Sequence, residues 1–275
     1  RAEWCNLADA IVDGGGEVLV CPPAPTPEMT GLIYTAEAGE LFLDEAGTPT
    51  FLLPNMAVEH RRGEAQHLGA FFEELGVATR RIEATWEAQG DAIRGHGADD
   101  IVHTYGRGAE ARTENAAYDE VADLLSPRHI QICFRADPWF HGNTFMNVYR
   151  MAERDEVLLV ICPDALAEGE YERLIAFLSP VTVHEISREE SLGYDTNSLQ
   201  VGNTVIASST LSGHTRTAVE RYGLDIVELD LSELFSKGGG APVCLTNRLW
   251  RLDATDLPAA HLWSNEPSLA RFETG

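Results

Sequence analysis

Residues 156–187 read EVLLVICPDALAEGEYERLIAFLSPVTVHEIS. The apolar run EVLLVICPDAL is a strand, GEYERLIAFLS has helical spacing, and VTVHEIS returns as a strand. Toward the C terminus the alternation continues. LQVGNTVIASS (199–209) is a hairpin with a Gly-Asn turn, SGHTRTAVERYG (212–223) is a helix, and DIVELDLSELFS (225–236) follows. Toward the N terminus, HIQICFRA (129–136) is a strand preceded by a helix over 114–125. WEAQGDAIRGHGADDIVHTYG (86–106) reads as a turn-rich strand pair, and ATRRIEA (78–84) as a strand. EHRRGEAQHLGAFFEELG (59–76) is a helix stopped by Gly76, TFLLP (50–54) is a short strand, and LIYTAEAGELFL (32–43) alternates like a strand or hairpin. EVLVC (17–21) follows a helix over 1–13. The rhythm is strand, strand, helix, strand, at a period of roughly 50 residues, which points to a closed array of similar modules more than to one open sheet.

Charge narrows the partners. The 275 residues carry 44 acidic and 20 basic side chains, a formal charge of −24. Such a surface repels nucleic-acid phosphate and anionic lipid and suits a small cationic substrate. The five cysteines are scattered and have no CxxC spacing, which argues against a disulfide framework or a zinc knuckle and for a reduced, cytoplasmic protein. No apolar run approaches the ~20 residues of a membrane-spanning helix. The opening RAEWCNLADAIVDGG is amphipathic, unlike a signal peptide, and reads as mid-domain sequence, so an N-terminal strand region is expected to be missing.

Three stretches have residues suited to chemistry. WEAQGDAI places Glu87 and Asp91 on either side of Gly90 in a turn, as a turn-capping pair or as site carboxylates. RADPWFHGNTF sets His141 among aromatics, either as a packed core histidine or as an acid–base group. LFSKGGGAPVCLTNRL (234–249) puts Cys244 just past a glycine run, where backbone can approach a ligand closely and a strand is expected to begin. The alternative for Cys244 is a small buried thiol. A cysteine, a histidine and a carboxylate together make a kit for nucleophilic attack with proton transfer.

In this order and spacing the motifs resemble the guanidino-group-modifying superfamily: arginine deiminases and dihydrolases, dimethylarginine dimethylaminohydrolases and amidinotransferases. YTAEAG (34–39) resembles the family's FTANAG, WEAQGDAI its FEGAGDA, and WFHGNTF its FYHLDT. YDTNSLQVGNTVI is similar to its CNAVNV segment and GGGAPVCLTNRL to its GGAAKCLTLR. The resemblance implies an α/β fold, the pentein: a five-fold pseudosymmetric β/α propeller of ββαβ modules around a central channel. One catalytic domain is expected over 1–250, with 251–275 as a C-terminal tail.

The resemblance also implies roles. Cys244 sits where the family's nucleophile attacks the guanidinium carbon and forms an amidino-cysteine intermediate. His141 matches the acid–base histidine. Glu87 matches the carboxylate that grips guanidinium nitrogens, and Asp91 the residue orienting His141 or the substrate. Arg112, with Arg107 as a competing candidate, matches the residue that holds a substrate carboxylate. Asn197 matches the asparagine before the later strand and is read as structural. The arginines of HRRGE (60–64) are expected at a surface or in packing.

Two positions depart from the pattern. Asn143 replaces a substrate-gripping aspartate, and Glu37 stands where relatives have asparagine or aspartate. The expected activity is cofactor-free and metal-free hydrolysis of a guanidino C–N bond. The alternatives are amidino transfer through the same intermediate and a non-catalytic pentein that binds a partner. A homo-oligomer is left open.

Overall fold

Four times along the chain a strand pair, a helix and a third strand follow one another. The computed structural model describes residues 1–24, 29–96, 100–238, 240–250, 252, 253, 255 and 257–263. After α1 (Ala2–Asp13), the first module is β1 (Glu40–Leu43), β2 (Pro49–Leu53), α2 (Glu64–Glu74) and β3 (Ala78–Arg81). The second is β4 (Ala92–Arg94), β5 (Asp100–Arg107), α3 (Ala117–Leu125) and β6 (Arg128–Arg135). The third is β7 (Met146–Arg150), β8 (Val157–Ile161), α4 (Glu170–Phe177) and β9 (Val181–Glu185). A short helix, α5 (Arg188–Leu192), leads to the fourth: β10 (Leu199–Val201), β11 (Thr204–Ser208), α6 (Gly213–Tyr222) and β12 (Asp225–Leu229), followed by α7 (Ser232–Gly238).

Each module closes its own three-stranded sheet with the second strand in the middle. The first pair is antiparallel and the second parallel, as with Met146 opposite Ile161 and Val157 opposite Val181 in the third module. A helix is the crossover that a parallel pair needs. The middle strands are the apolar ones. Val157 to Ile161 are at most 1% exposed, so the run VLLVI is covered on both faces and each large side chain contributes about 1.5–3 kcal/mol by burial. The third strands lie outermost, and β3, β9 and β12 alternate between exposed and half-buried residues.

Local signals set the helix ends. Ser212 accepts a bond from the Thr215 N–H at the start of α6, and Gly223 ends that helix in the left-handed region at φ 108°. Ser187 and Glu190 form a reciprocal capping box on α5. Neighbouring modules share their helices: α3 packs on β1 as well as on β5 and β6, α4 on β6, and α6 on β8. The ββαβ array expected from the 50-residue rhythm is therefore present, as four modules starting at Glu40, Ala92, Met146 and Leu199.

At the fifth position α1 packs against β12 and α7. The EVLVC segment, expected as a full strand, makes only a short antiparallel ladder among the described residues. Leu19 pairs with Leu262, the Val20 N–H donates to His261 O at 2.8 Å, and the Trp263 N–H donates to Val18 O at 2.8 Å. Trp263 also stands edge-on to Trp4 and donates to Asp9 at 2.8 Å, which seats this part of the expected tail on α1. Residues 264–275 of that tail lie outside the described residues. An apolar cleft of about 710 Å³ runs between this edge and α2, walled by Leu19, Phe51, Phe71, Leu245 and Leu249. Among the described residues no helix is long and apolar enough to cross a membrane.

Three short helical turns, Thr35–Ala38, Ala88–Gly90 and Gly142–Thr144, precede β1, β4 and β7, and the middle one packs against each of the other two. Two local readings change here. LIYTAEAGELFL, expected as a strand or hairpin, is such a turn followed by β1. Cys244 lies in a turn over 242–245 and does not begin a strand, and α7 already extends through Gly238 of the glycine run.

Candidate active site

The packed turns bring His141, Glu87, Asp91 and Glu37 together. Gly39 fixes the approach from the first module. It adopts φ 141°, and a Cβ there would lie 2.4 Å from Leu52 O, so only glycine lets the turn at Glu37 run on into β1. In the second module Ala88 adopts φ 47°, an uncommon conformation for a side-chain-bearing residue, at the turn that aims Glu87 and Asp91. In the third, Gly142 lets the chain after His141 lie directly on Thr104, where a Cβ would come within 2.4 Å of Oγ1.

His141 is the hub. Its Nε2 bonds Glu87 Oε2 at 2.7 Å and lies 4.0 Å from Asp91 Oδ2, while Nδ1 is 3.5 Å from Glu37 Oε1. Burial by itself disfavours a charged imidazole. The charge of Asp91, the Glu87 bond and the charge of Glu37 outweigh it and raise the pKa to about 9. Glu87 is shifted the other way. Burial raises its pKa, but the His141 bond and the Ala57 N–H, at 2.9 Å, take it below the usual glutamate value. Asp91 is clamped by Thr104 Oγ1 at 2.5 Å, Thr113 Oγ1 at 2.6 Å and the Gly142 N–H at 2.9 Å. It is thus spent on aligning the turns around His141.

Glu37 does not stand in open solvent. Arg61 Nη1 bonds its Oε2 at 3.2 Å, and burial raises its pKa. Arg61 also donates to Glu64, at 3.0 and 2.8 Å, and to the carbonyls of Gly31 and Tyr34. The surface or packing role expected for this arginine is replaced by a buried ion-pair network that holds Glu37 in place. The readable signal was HRRGE itself, an arginine three residues before a glutamate at a helix start, so that both share one helix face.

Cys244 lies beside Asn197. The asparagine Nδ2 donates to Sγ at 3.1 Å and its Oδ1 accepts from the Cys244 N–H at 3.1 Å, so the side chain grips both thiol and backbone. Asn197, read as structural, therefore touches the candidate nucleophile. Burial, then the charge of Glu37, push the Cys244 thiol up to about 12. Asn143 is buried with both Oδ1 and Nδ2 lacking a partner, while its carbonyl accepts from Thr196 and Asn197. A buried amide left so costs about 1–3 kcal/mol per group.

The two arginine candidates separate. Arg112 packs its guanidinium 5.7 Å from the Phe140 ring, next to His141, whereas Arg107 is exposed at the end of β5. Cys244, His141, Glu37, Glu87, Asp91 and Asn143 are all at most 3% exposed. The four acidic side chains of Glu37, Glu64, Glu87 and Asp91 face two basic ones, Arg61 and His141, and burial raises the pKa of both Glu37 and Asp91. This centre differs from the 710 Å³ cleft, whose wall is mostly apolar and includes none of Glu37, Glu64, Glu87 and Asp91.

A family model described as N,N dimethylarginine dimethylhydrolase, eukaryotic, matches residues 1–251. The chain is similar to the uncharacterized protein YkgA of Bacillus subtilis (strain 168), 25% identical over 242 residues, or 87% of this chain and 76% of that one. Among solved structures, it superposes on the product-bound N-terminal domain of ArgZ, an arginine dihydrolase from the ornithine-ammonia cycle in cyanobacteria. The TM-score is 0.77 at 21% identity, covering 90% of this chain and 85% of the other. It also superposes on a dimethylarginine dimethylaminohydrolase adduct with 4-chloro-2-hydroxymethylpyridine, at TM-score 0.60 and 21% identity, covering 90% and 91%. These likenesses establish the pentein propeller as the fold.

Proposed function

The chain belongs to the family described as eukaryotic N,N-dimethylarginine dimethylhydrolase, and on that footing we propose that it hydrolyses a C–N bond of a substituted guanidinium through a covalent adduct on Cys244. One observation carries the reading. An imidazole, His141, is held among Glu37, Glu87 and Asp91 in a buried centre rich in acidic side chains, beside the Asn197-held thiol of Cys244.

Binding a planar cation beside Cys244 supplies the positive charge that the thiolate needs, so the thiol ionises and its proton leaves to solvent. The thiolate sulfur attacks the guanidinium carbon. His141, protonated at neutral pH, gives its proton to the departing amine as the C–N bond breaks. The now neutral imidazole takes a proton from water, and the hydroxide adds to the amidino carbon of the adduct. Collapse breaks the C–S bond, returns the thiolate and, as the added hydroxyl gives up its proton to solvent, leaves a urea-type product. Glu87 stabilises the imidazolium, and Asp91 keeps the turns aligned. The substrate carries the stabilising charge, so the scheme calls for no cofactor.

The preference for a substituted guanidinium follows from the count of acceptors. Glu37 is already engaged by Arg61, and Asn143 accepts through one oxygen while its NH2 opposes a donor-rich cation. A guanidinium with fewer N–H groups leaves fewer donors unpaired. Each spared donor is worth about 1 kcal/mol, on the order of fivefold in selectivity. Arg112 is the candidate for a substrate carboxylate.

The test mixes wild type and Cys244→Ala with N,N-dimethylarginine, arginine and simpler guanidines, quenches in acid, and reads intact mass beside released amine, ammonia and urea. The expected result is an adduct on wild type alone, with dimethylamine released in the absence of any acceptor amine. No adduct and no amine from any compound sinks the proposal. Turnover that appears only with an added amine replaces hydrolysis with transfer.

A further inference from the structure

Three arginine guanidiniums gather on one indole away from the catalytic turns. Arg94 closes β4 and Arg150 closes β7, while Arg248 follows Cys244 by four residues. Their guanidinium carbons stand 6.0, 4.7 and 5.3 Å from the ring centre of Trp250. The turn before β7 carries His141, and the strand's length puts Arg150 about 13 Å beyond its first residue. The cluster is therefore separate from the catalytic centre.

Like charges gathered in a partly buried place repel, and this disfavours their charged forms. Burial and then Arg94 lower Arg150, and burial and then Arg150 lower Arg248 to about 10, so both stay charged at neutral pH. Arg94 bonds Glu40 at 2.6 Å. Among the described residues, however, neither Arg150 nor Arg248 bonds a carboxylate. Arg248 Nη2 donates to Gln200 O at 3.1 Å, and the Gln200 amide is occupied with the backbone of Arg150. The Trp250 indole N–H is buried without a partner as well. Glu40 acts on Arg248 and Asp100 on Arg150 through space only, so neither arginine has a bonded carboxylate among the described residues, in a chain with 44 acidic residues. Stacking on the indole orients guanidiniums while leaving their N–H edges for other partners.

We propose that Arg94, Arg150, Arg248 and Trp250 form a binding site for a small doubly charged oxyanion, the phosphate group of a small solute. Arginine forks accept such an anion through paired, charge-assisted bonds, and neutralising the cluster removes its internal repulsion. The main chain that carries Arg248, not its guanidinium, is tied to the catalytic turn. The Arg248 N–H donates to Gln89 Oε1 and Gln89 Nε2 donates to Arg248 O, both at 2.9 Å, and Gln89 lies between Glu87 and Asp91.

The experiment titrates sodium phosphate against sodium chloride at matched ionic strength, reading thermal unfolding and phosphorus NMR line width. Wild type should show saturable stabilisation and broadening by phosphate, as a ligand of the folded state alone requires. Arg150→Gln, which breaks no ion pair with a described residue, should weaken phosphate binding at least tenfold while melting like wild type in chloride. Arg150→Lys should fall between the two. Phosphate acting no differently from chloride overturns the proposal, and so does equal binding by Arg150→Gln, which would place the anion elsewhere.

Discussion

His141 owes its charge to its neighbours, and that makes its ionisation measurable in stability as well as in rate. Its folded pKa, about 9, is above the ordinary 6.5. The stability it contributes is therefore complete below about pH 6.5 and is lost as pH rises through about 9. The melting-temperature difference between wild type and His141→Asn should be large at pH 6 and small at pH 9.5, and a gap that is constant with pH would contradict this reading of the carboxylate cage. Turnover in His141→Asn should fall by about 10²–10⁴-fold. At this scale Cys244, His141, Glu87 and Asp91 were legible as residues with suitable chemistry. Arg61 and Asn197 were not read for what they do, because their significance lies in the distances to Glu37 and Cys244, which chain spacing does not carry.

Turns, more than strands, carry the site at the scale of elements. The turn at Gly142–Thr144 rests on Thr104 of β5 and is tied to Asp91 through the Gly142 N–H. Gly142→Ala would set a methyl 2.4 Å from Thr104 Oγ1, so the turn must shift and take His141 with it. The expected result is a loss of about 1–3 kcal/mol in denaturant melts, with turnover reduced well beyond what that loss explains; an active, fully stable variant would show that the close approach is not needed. Strands and helices were read from apolar period and capping. The helix expected from 114 begins at Ala117, and α5 went unread although Ser187 and Glu190 form a capping box visible in SREE. Cys244 was misplaced onto a strand because a β-like run of residues can equally serve as a turn when neighbouring modules supply the hydrogen bonds.

For the molecule as a whole, the −24 charge acts over distances beyond any one contact. A cationic substrate is drawn toward such a surface, and added salt screens the attraction. The second-order rate with N,N-dimethylarginine should fall as sodium chloride rises from 10 to about 300 mM, while the melting temperature rises as self-repulsion is screened. A rate indifferent to salt would mean that capture depends on the local cage of carboxylates and owes little to the surface.

By itself the sequence determined the module: strand, strand, helix, strand repeated, since apolar period and helix caps are local properties of a chain. It also determined the sign of the charge and which side chains could attack or move protons. Only the tertiary structure decided what those side chains meet. Burial gathered Glu37, Glu87 and Asp91 around one imidazole and gave Glu37 to Arg61, and it left the buried amide of Asn143 without a partner. Charges and hydrogen bonds depend on separations of a few ångströms between residues far apart along the chain, and packing of the modules sets those separations.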